Sequence, residues 1–302
     1  MNICYVILHY KNIKETIKCV RSLFETASSN SKIIIVDNGS NDGSGTKLQS
    51  LFGEDSRCKI ILLDTNVGFS KGNNFGYIYA KKYLDPDYIV VTNNDVVFDQ
   101  RDFEKKINDI YLRTKFDVLG PDVYIPNNKE HQSPIFLRGI TSEELEKELE
   151  EYRYYQNNPE QFKKRLKLHF LKNRICSQSL LLRRLYSKIR GKEYIDYRRE
   201  YNDVVLQGCC LIVSRQFVEK EEKMFDPEPF LDCEETLLYY RCKKKQYTMI
   251  YSPEIKIKHE ESASFKNATK HKEERLKFML KHHVIARELL LDYIVQYEKN
   301  QL

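Results

Sequence analysis

The sequence predicts an α/β protein with a mostly parallel central sheet covered by helices, a helical insertion and C-terminal helices. Three observations carry that expectation. The N-terminal part alternates continuous apolar runs with segments of helical spacing, as in a parallel sheet buried on both faces. After "DVLGPDVYIP" the alternation stops, and residues 126–203 turn charged, helical and tyrosine-rich. Sheet-like sequence returns at "VVLQGCCLIVS", ahead of a tail from Lys270 to Tyr297 patterned as one long amphipathic helix or two.

Taken in order, "ICYVILHY" is the first strand, and "IKETIKCVRSLFET" sets Ile13, Ile17, Val20 and Phe24 at helical spacing. "KIIIVDN" is a second buried strand, followed by the turn-rich "GSNDGSGT" and a short helix through Leu48 and Phe52. "KIILLD" is the third strand, "NNFGYIYAKKYL" is helical and "YIVVTNND" is the fourth strand. Further on come a helix at "DCEETLLYYRCKKK", the strand "YTMIYSP" and the segment "IKIKHEESASF". The expected units are residues 1–125, an insertion at 126–203, a second half at 204–268 and a C-terminal helix at 269–302.

At 302 residues with 41% hydrophobic composition, the chain can fill one large core with an insertion, or two small ones. No apolar run approaches the ~20 residues needed to span a bilayer. The start of the chain lacks a basic n-region, so a cytoplasmic protein is expected. The eight cysteines form no CxxC pair and show no metal-type spacing, which fits buried reduced thiols. Net charge is +6, unevenly spread. Residues Glu143 to Glu151 are acidic, whereas Lys163 to Arg199 is basic with only Glu193 and Asp196 opposing. Leu, Phe and Tyr interleave with those basic residues. The stretch therefore reads either as a surface for an anionic membrane or as a solvated helical face whose Lys and Arg stems cover apolar area. Nucleic-acid binding is a third, less favoured reading.

Ligands of parallel α/β sheets bind outside the carboxyl ends of the strands. His9, Asp37, Asp64 and Asp95 all fall at or just beyond such ends. In "IVDNGSNDGS", Asp37 precedes a run of turn formers. It reads either as part of a strand-to-helix turn or as a carboxylate accepting from a nucleobase N–H. In "YIVVTNNDVVF", a buried strand runs into Asn93, Asn94 and Asp95; turn chemistry is one explanation and a metal or ligand site the other. "GFSKGNNFG" formally contains a G-x-S-x-G elbow around Ser70. Residues 64–67 separate it from the apolar run, however, which breaks the strand-to-nucleophile geometry of a serine hydrolase. The alternative is a Gly-rich loop with Lys71, Asn73 and Asn74 near a helix start, suited to a diphosphate. "FLDCEETLLYYR" clusters Asp232, Glu234 and Glu235 at a helix N-terminus, where acids complement the macrodipole or supply a general base. His259 ends the alternating run "KIKHEES".

In order, these pieces resemble the family 2 glycosyltransferases of the GT-A, nucleotide-diphospho-sugar transferase fold. "VILHYKN", "IIIVDNGSNDGS", "NVGFSKGNNFG" and "VVTNNDV" match that family's donor-binding half. "QGCCLIVSRQF", "PFLDCEETLLYYRCKKKQY" and "SPEIKIKHEES" are similar to its acceptor half. The likeness runs from residue 3 to about 265, apart from the insertion, and is nearest to capsule, O-antigen and rhamnosyltransferase-like members. It implies a hexosyl or deoxyhexosyl transferase with one inverting displacement, a nucleoside-diphosphate sugar donor and a saccharide acceptor, for which a lipid-linked one is an option. The resemblance implies a divalent cation, Mg²⁺ or Mn²⁺, held by Asp95 where relatives carry D-x-D, with His259 reaching metal or diphosphate. It implies that Asp37 reads the base and that Tyr10, Asn38, Lys71, Asn73, Asn74 and Asn94 line the nucleotide. Glu235 aligns with the catalytic Asp of the family's E-D motif, while Glu234 and Asp232 remain competitors for the base. Two departures stand out: Glu replaces Asp at 235, and Glu260 and Glu261 follow His259 where small residues are common. A nucleotidyltransferase of similar sheet is the other enzyme class, but "ILHYKNIKET" lacks its Gly-rich nucleotidyl loop. A nucleotide-sugar binding protein without turnover is the non-enzyme alternative.

Overall fold

A computed structural model describes residues 1–127, 129–176, 194–260 and 272–300. Its N-terminal side alternates β1 (Ile3–His9), α1 (Ile13–Thr26), β2 (Lys32–Asp37), α2 (Ser44–Phe52), β3 (Cys58–Leu62), α3 (Phe69–Tyr83) and β4 (Tyr88–Asn93). A two-residue β5 (Val96–Val97), α4 (Phe103–Thr114), β6 (Val118–Ile125) and β7 (Glu130–His131) follow, then the insertion helices α5 (Ser142–Asn157) and α6 (Pro159–Cys176). The chain re-enters the sheet through β8 (Tyr201–Asn202), β9 (Cys210–Ser214) and β10 (Met249–His259). Helices at Arg215–Lys220 and Glu234–Lys245 separate β9 from β10, and the C-terminal helix spans Lys272–Lys299.

The strands lie in the order β3-β2-β1-β4-β9-β6-β10-β5. Neighbours from β3 to β4 are parallel, as are β6 and β10, and β9 runs antiparallel between β4 and β6. Alternate side chains on each strand feed opposite cores. Cys4, Val6, Ile34, Val36, Ile89, Val91, Leu211 and Val213 pack toward α3, the Glu234–Lys245 helix and the C-terminal helix. Ile3, Tyr5, Ile7, Ile33, Ile35, Val90 and Ile212 pack toward α1, α2 and α4. Burial on both faces explains why these strands are apolar at every position rather than at every second one.

The helical spacing of "IKETIKCVRSLFET" matches α1, and "YIVVTNND" ends as β4 followed by a turn at Asn94 and Asp95. Three expectations change. The run from Met249 to His259 is one strand, carried past Pro253 by a register shift between Ser252 and Lys256. Within "VVLQGCCLIVS" only Cys210–Ser214 is strand; Val205 instead bridges to Phe136 at the rim of the insertion. Helix α3 starts at Phe69, so "FSKG" is its first turn and not a loop. Gly68, with φ of 90°, makes that start; its left-handed backbone brings it against Phe230, 2.5 Å from where a Cβ would meet the carbonyl oxygen.

The insertion is fastened at its entry by a capping box. Thr141 accepts from the Glu144 N–H at 3.2 Å, and the Glu144 carboxylate accepts from the Thr141 N–H at 3.0 Å. Helix α5 packs along the C-terminal helix, burying Leu145 and Leu149, and Phe162 of α6 joins Leu276 and Leu280. The C-terminal helix thereby binds the insertion to the second half of the molecule. Residues 177–193, the centre of the basic stretch Lys163 to Arg199, lie outside the described residues. No described helix is long and apolar enough to cross a membrane.

Gly76 tests how closely α3 sits on the sheet. A Cβ there would lie 2.3 Å from Val6 Cγ1 and 3.1 Å from Val36 Cγ2. Helix propensity alone favours Gly76→Ala by about 1 kcal/mol. Overpacking costs ~1–3 kcal/mol, so the clash dominates and the variant is expected to be less stable. Urea unfolding decides: a higher midpoint for Gly76→Ala would show that α3 is not pressed on β1 and β2.

Candidate active site

The C-terminal ends of β1, β2 and β4 converge on one edge of the sheet, with His9 opposite Asp37 and Leu8 opposite Asn93. Asp37 is buried. Its Oδ1 accepts from the Ser40 N–H at 3.2 Å and from the Ser40 hydroxyl, and its Oδ2 lies over Gly45, 2.0 Å from where a Cβ would stand. Glycine at 45 is therefore what lets α2 begin beneath that carboxylate. Tyr10 and Lys71 are exposed at the same edge, Lys71 on the first turn of α3.

Several of the residues expected to line a nucleotide make internal hydrogen bonds. The Asn38 amide donates to Asn66 Oδ1 at 3.1 Å and to the Gly68 carbonyl at 3.0 Å, and its oxygen accepts from the Val67 N–H at 3.0 Å. Asn74 donates to the Phe225 carbonyl at 2.7 Å and to Glu228 at 2.8 Å, and accepts from the Phe225 N–H at 3.0 Å. Asn73 is fully buried, with its Nδ2 on the Phe69 carbonyl at 3.0 Å. The structure thus assigns Asn38 and Asn74 to holding the 66–68 and 225–228 segments against α3, because buried amides must spend their bonds locally. Asn94 ties the β4 turn to α1 through Thr16 Oγ1 at 2.9 Å. His9, at a strand end, is buried between Thr16 Oγ1 at 2.7 Å and Ser44 Oγ at 2.8 Å, so it joins α1 to α2. Ser70 is fully buried inside the first turn of α3, which removes the nucleophile-elbow reading: no substrate reaches its hydroxyl.

Asp95 and His259 meet. The pairing of β5 with the end of β10 sets Val96 opposite His259, and the Glu260 N–H donates to the Asp95 carbonyl at 3.0 Å. His259 Nε2 stands 3.2 Å from Asp95 Oδ1, while its Nδ1 lies 2.8 Å from Gln132 Oε1. With Nδ1–H donated to the amide oxygen, Nε2 faces a carboxylate oxygen through either a proton or a lone pair. The lone-pair form places two electron-rich atoms together and suits a cation between or beside them. A metal-binding histidine commonly has its other ring nitrogen held by a hydrogen-bond acceptor, as Gln132 holds Nδ1 here. Among the described residues no group of three or more His, Cys, Asp or Glu that could hold a metal ion comes together. A divalent ion at the Asp95–His259 pair would need its remaining ligands from water and substrate phosphate.

The acid cluster lies at the start of the Glu234–Lys245 helix, behind two left-handed residues, Asp232 with φ of 76° and Cys233 with φ of 66°. Its three carboxyls have separate fates. Glu235 is half-buried and its Oε1 accepts from the Gly208 N–H at 3.2 Å. Burial, with Asp232 charge adding to it, pushes Glu235 up to about 7. Glu234 is buried with Oε2 unpartnered, and burial, then repulsion from Glu235 and Asp232, hold its carboxyl well above the usual range. Asp232 goes the other way. Burial opposes its charge, but the His283 hydrogen bond at 2.5 Å and the adjacent Arg287 guanidinium bring it down to about 2.

Glu235 faces a cavity of about 780 Å³ enclosed by the 135–140 loop, α5, the start of its own helix and the C-terminal helix. Tyr152, Glu148, Arg138 and Arg287 contribute to its wall. Gln207 lines it too, and two residues on, the Cys209 carbonyl accepts from the Asn93 N–H at 2.8 Å. The carboxyl of Glu235 is thus linked to the Asp95 turn through Gly208 and Cys209. His283 and Arg287 had no sequence signal of their own, since their i, i+4 spacing is that of any helical face.

Residues 4–190 match the family model described as Glycosyl transferase family 2. Over 118 residues the chain is 25% identical to Glycosyltransferase GlyG of Streptococcus pneumoniae serotype 4, a match covering 39% of this chain and 38% of GlyG. The chain therefore spans well under half the length of that relative. A crystal structure of residues 1–349 of S. aureus TarS superposes with a TM-score of 0.53 at 11% identity, covering 98% of this chain and 71% of that one. That likeness concerns the fold, and it agrees with the GT-A sheet implied by the sequence motifs.

The buried carboxyl of Glu234 yields a stability prediction with a definite sign. Its folded value lies above the ordinary 4.5, so the folded state holds a proton that the unfolded chain releases. Stability is then lost as pH rises above that ordinary value. Glu234→Gln is expected to raise the melting temperature at pH 8 and to leave it nearly unchanged at pH 4. An equal gain at both would assign the effect to packing instead.

Proposed function

Because the chain belongs to glycosyl transferase family 2, we propose that it moves a sugar from a nucleoside-diphosphate donor to a saccharide hydroxyl with inversion at the anomeric carbon. The observation that carries this reading is Glu235, a carboxyl facing a cavity of acceptor size and braced to the turn that bears Asp95. The acceptor would enter the cavity, and the donor would lie along the ends of β1, β2 and β4. Asp37 would read the base through Oδ2, with Tyr10 and Lys71 against the nucleotide. Asp95 and His259 would hold a divalent cation, whose chemistry is to offset charge on the departing diphosphate.

In the transfer step the acceptor oxygen attacks the anomeric carbon and its proton passes to the Glu235 carboxylate. The bond from that carbon to the diphosphate oxygen breaks on the opposite side. A base that titrates near 7 balances ionised fraction against proton affinity at working pH. Gly208 N–H fixes one carboxylate oxygen, leaving the other for the substrate. Asp232 is a poor base because His283 and Arg287 occupy it, and Glu234 is buried away from the cavity wall.

The proposed setting, cell-surface polysaccharide synthesis such as capsule or O-antigen, is supported by the sequence resemblance. Docking of residues 163–199 on the cytoplasmic face of an anionic membrane is supported by the basic–apolar alternation of that stretch, and a lipid-linked acceptor would make such docking useful.

Glu235→Gln is expected to keep donor affinity and to lose turnover by roughly 10² to 10⁴. Glu234→Gln should turn over close to wild type. Release of nucleoside diphosphate from a panel of nucleoside-diphosphate sugars reads both, and wild-type rates should rise with pH through about 7. A fully active Glu235→Gln enzyme would remove the base assignment. Asp95→Asn is expected to lose the Mn²⁺-dependent part of nucleoside diphosphate affinity by calorimetry; unchanged affinity would sink the metal assignment.

A further inference from the structure

We propose that Asp232 is a positioning residue for Glu235, and that the C-terminal helix, through His283 and Arg287, keeps it an anion beside that carboxyl while barring it from taking the substrate proton. The inference rests on Glu235 being the base, and its test separates the two.

The geometry begins with backbone strain. Asp232 and Cys233 both take left-handed φ, a conformation unfavourable for non-glycine residues and kept only where surroundings enforce it. The enforcing contacts come from elsewhere in the chain. Asp232 Oδ2 accepts from His283 Nδ1 at 2.5 Å and from Arg287 Nη1. The Arg287 guanidinium lies 3.7 Å over the Tyr152 ring, and its Nε is 3.6 Å from Glu148 Oε2, so α5 holds the cation from the other side. Tyr152 also packs on the His283 ring, with centroids 5.3 Å apart. The helix start that aims Glu235 is thereby clamped from two elements distant in sequence.

The electrostatics follow from that clamp. Asp232 and Glu234 approach Glu235 from its own helix, and the Gly208 N–H and buried Cys209 from the neighbouring loop. Across the cavity stand Glu148, Tyr152 and Arg287, with His283 behind Asp232. Arg138 and Glu144 pair with each other at 2.5 Å, and Arg165 pairs with Glu151. Burial is the main reason the proton stays on Glu235, the Asp232 charge adds to it, and the Arg287 guanidinium paired with Asp232 is the counter-charge to that addition. A clamp that only held the fold would have no reason to move the Glu235 midpoint in a charge-dependent direction.

Carboxyl ¹³C NMR titration of ¹³C-glutamate-labelled protein measures that midpoint, with the Glu235 signal assigned by its loss in Glu235→Gln. Asp232→Asn is expected to lower it and Arg287→Met to raise it, each by roughly one pH unit. Arg287→Lys keeps the charge and should restore the wild-type value. Unmoved midpoints, or shifts of the same sign in Asp232→Asn and Arg287→Met, would overturn the proposal, the latter as the mark of a loosened site. Should Arg287→Met fail to fold, Asp232→Asn against Arg287→Lys still decides: a midpoint unchanged in Asp232→Asn, or moved in Arg287→Lys, overturns it. The base reading fails separately, when Glu235→Gln releases nucleoside diphosphate from donor sugars at the wild-type rate.

Discussion

The Cys209 carbonyl accepts from the Asn93 N–H at 2.8 Å and from the Thr92 hydroxyl at 3.1 Å, at the point where β9 begins to run antiparallel beside β4. Each such bond contributes only about 0.5–1.5 kcal/mol net, but leaving the buried groups unpaired would cost more. Their larger effect is geometric. The register that sets Thr92 against Cys210 also fixes Gly208, one residue before the carbonyl, and Gly208 in turn holds the Glu235 carboxyl. On the other side Asn93 leads directly into the Asp95 turn. A slip of one residue between β4 and β9 would turn every buried side chain of β9 to the wrong core. Sheet packing therefore sets how the Asp95 turn stands relative to the Glu235 carboxyl, on which the proposed transfer depends.

Around that fixed frame, the second half of the site is built at a local cost in stability. Glu234 is buried without a partner for Oε2, Glu235 carries a raised carboxyl, and two consecutive non-glycine residues sit at positive φ. None of these would persist on a free helix end. They persist because Asp232 is gripped from the C-terminal helix and because Leu237 and Leu238 behind the cluster are buried in the core. The insertion completes the arrangement through α5, which buries Leu145 and supports Arg287 with Tyr152. Its contribution is thus to the wall of the cavity.

Strand content was legible because a sheet covered on both faces leaves little room for polar residues in "YIVV" or "KIIIV". The alternation between Val6 and Ile7 then follows from the period of two in any strand. That Asp95 follows a strand end and that Glu235 lies at a helix start were legible in "YIVVTNND" and "DCEETLLYYR". What escaped were partnerships set by tertiary packing. Asn38 and Asn74 are ligand-like in type and position, and nothing in "DNGS" or "GNNFG" shows that their amides are used up by Gly68 and Phe225. His283 lies 51 residues from Asp232, on a basic helical stretch where a lone histidine carries no pattern. The strand through Pro253 was split in the sequence because a proline mid-run normally ends pairing, and a register shift resolves that locally.

The replacement of Asp by Glu at 235 has a structural counterpart at position 208. A Cβ on Gly208 would lie 2.7 Å from Glu235 Oε1 and 3.0 Å from its Cγ. The longer side chain lies across the backbone of the preceding loop, and it reaches the Gly208 N–H only because that residue has no side chain. An aspartate, one methylene shorter, would leave more space there. The extra methylene carries the carboxyl onto a neutral backbone donor, which favours its ionised form. Glycine at 208 and glutamate at 235 are therefore one solution to placing a carboxylate in the cavity wall while a second, clamped carboxylate stands three residues away.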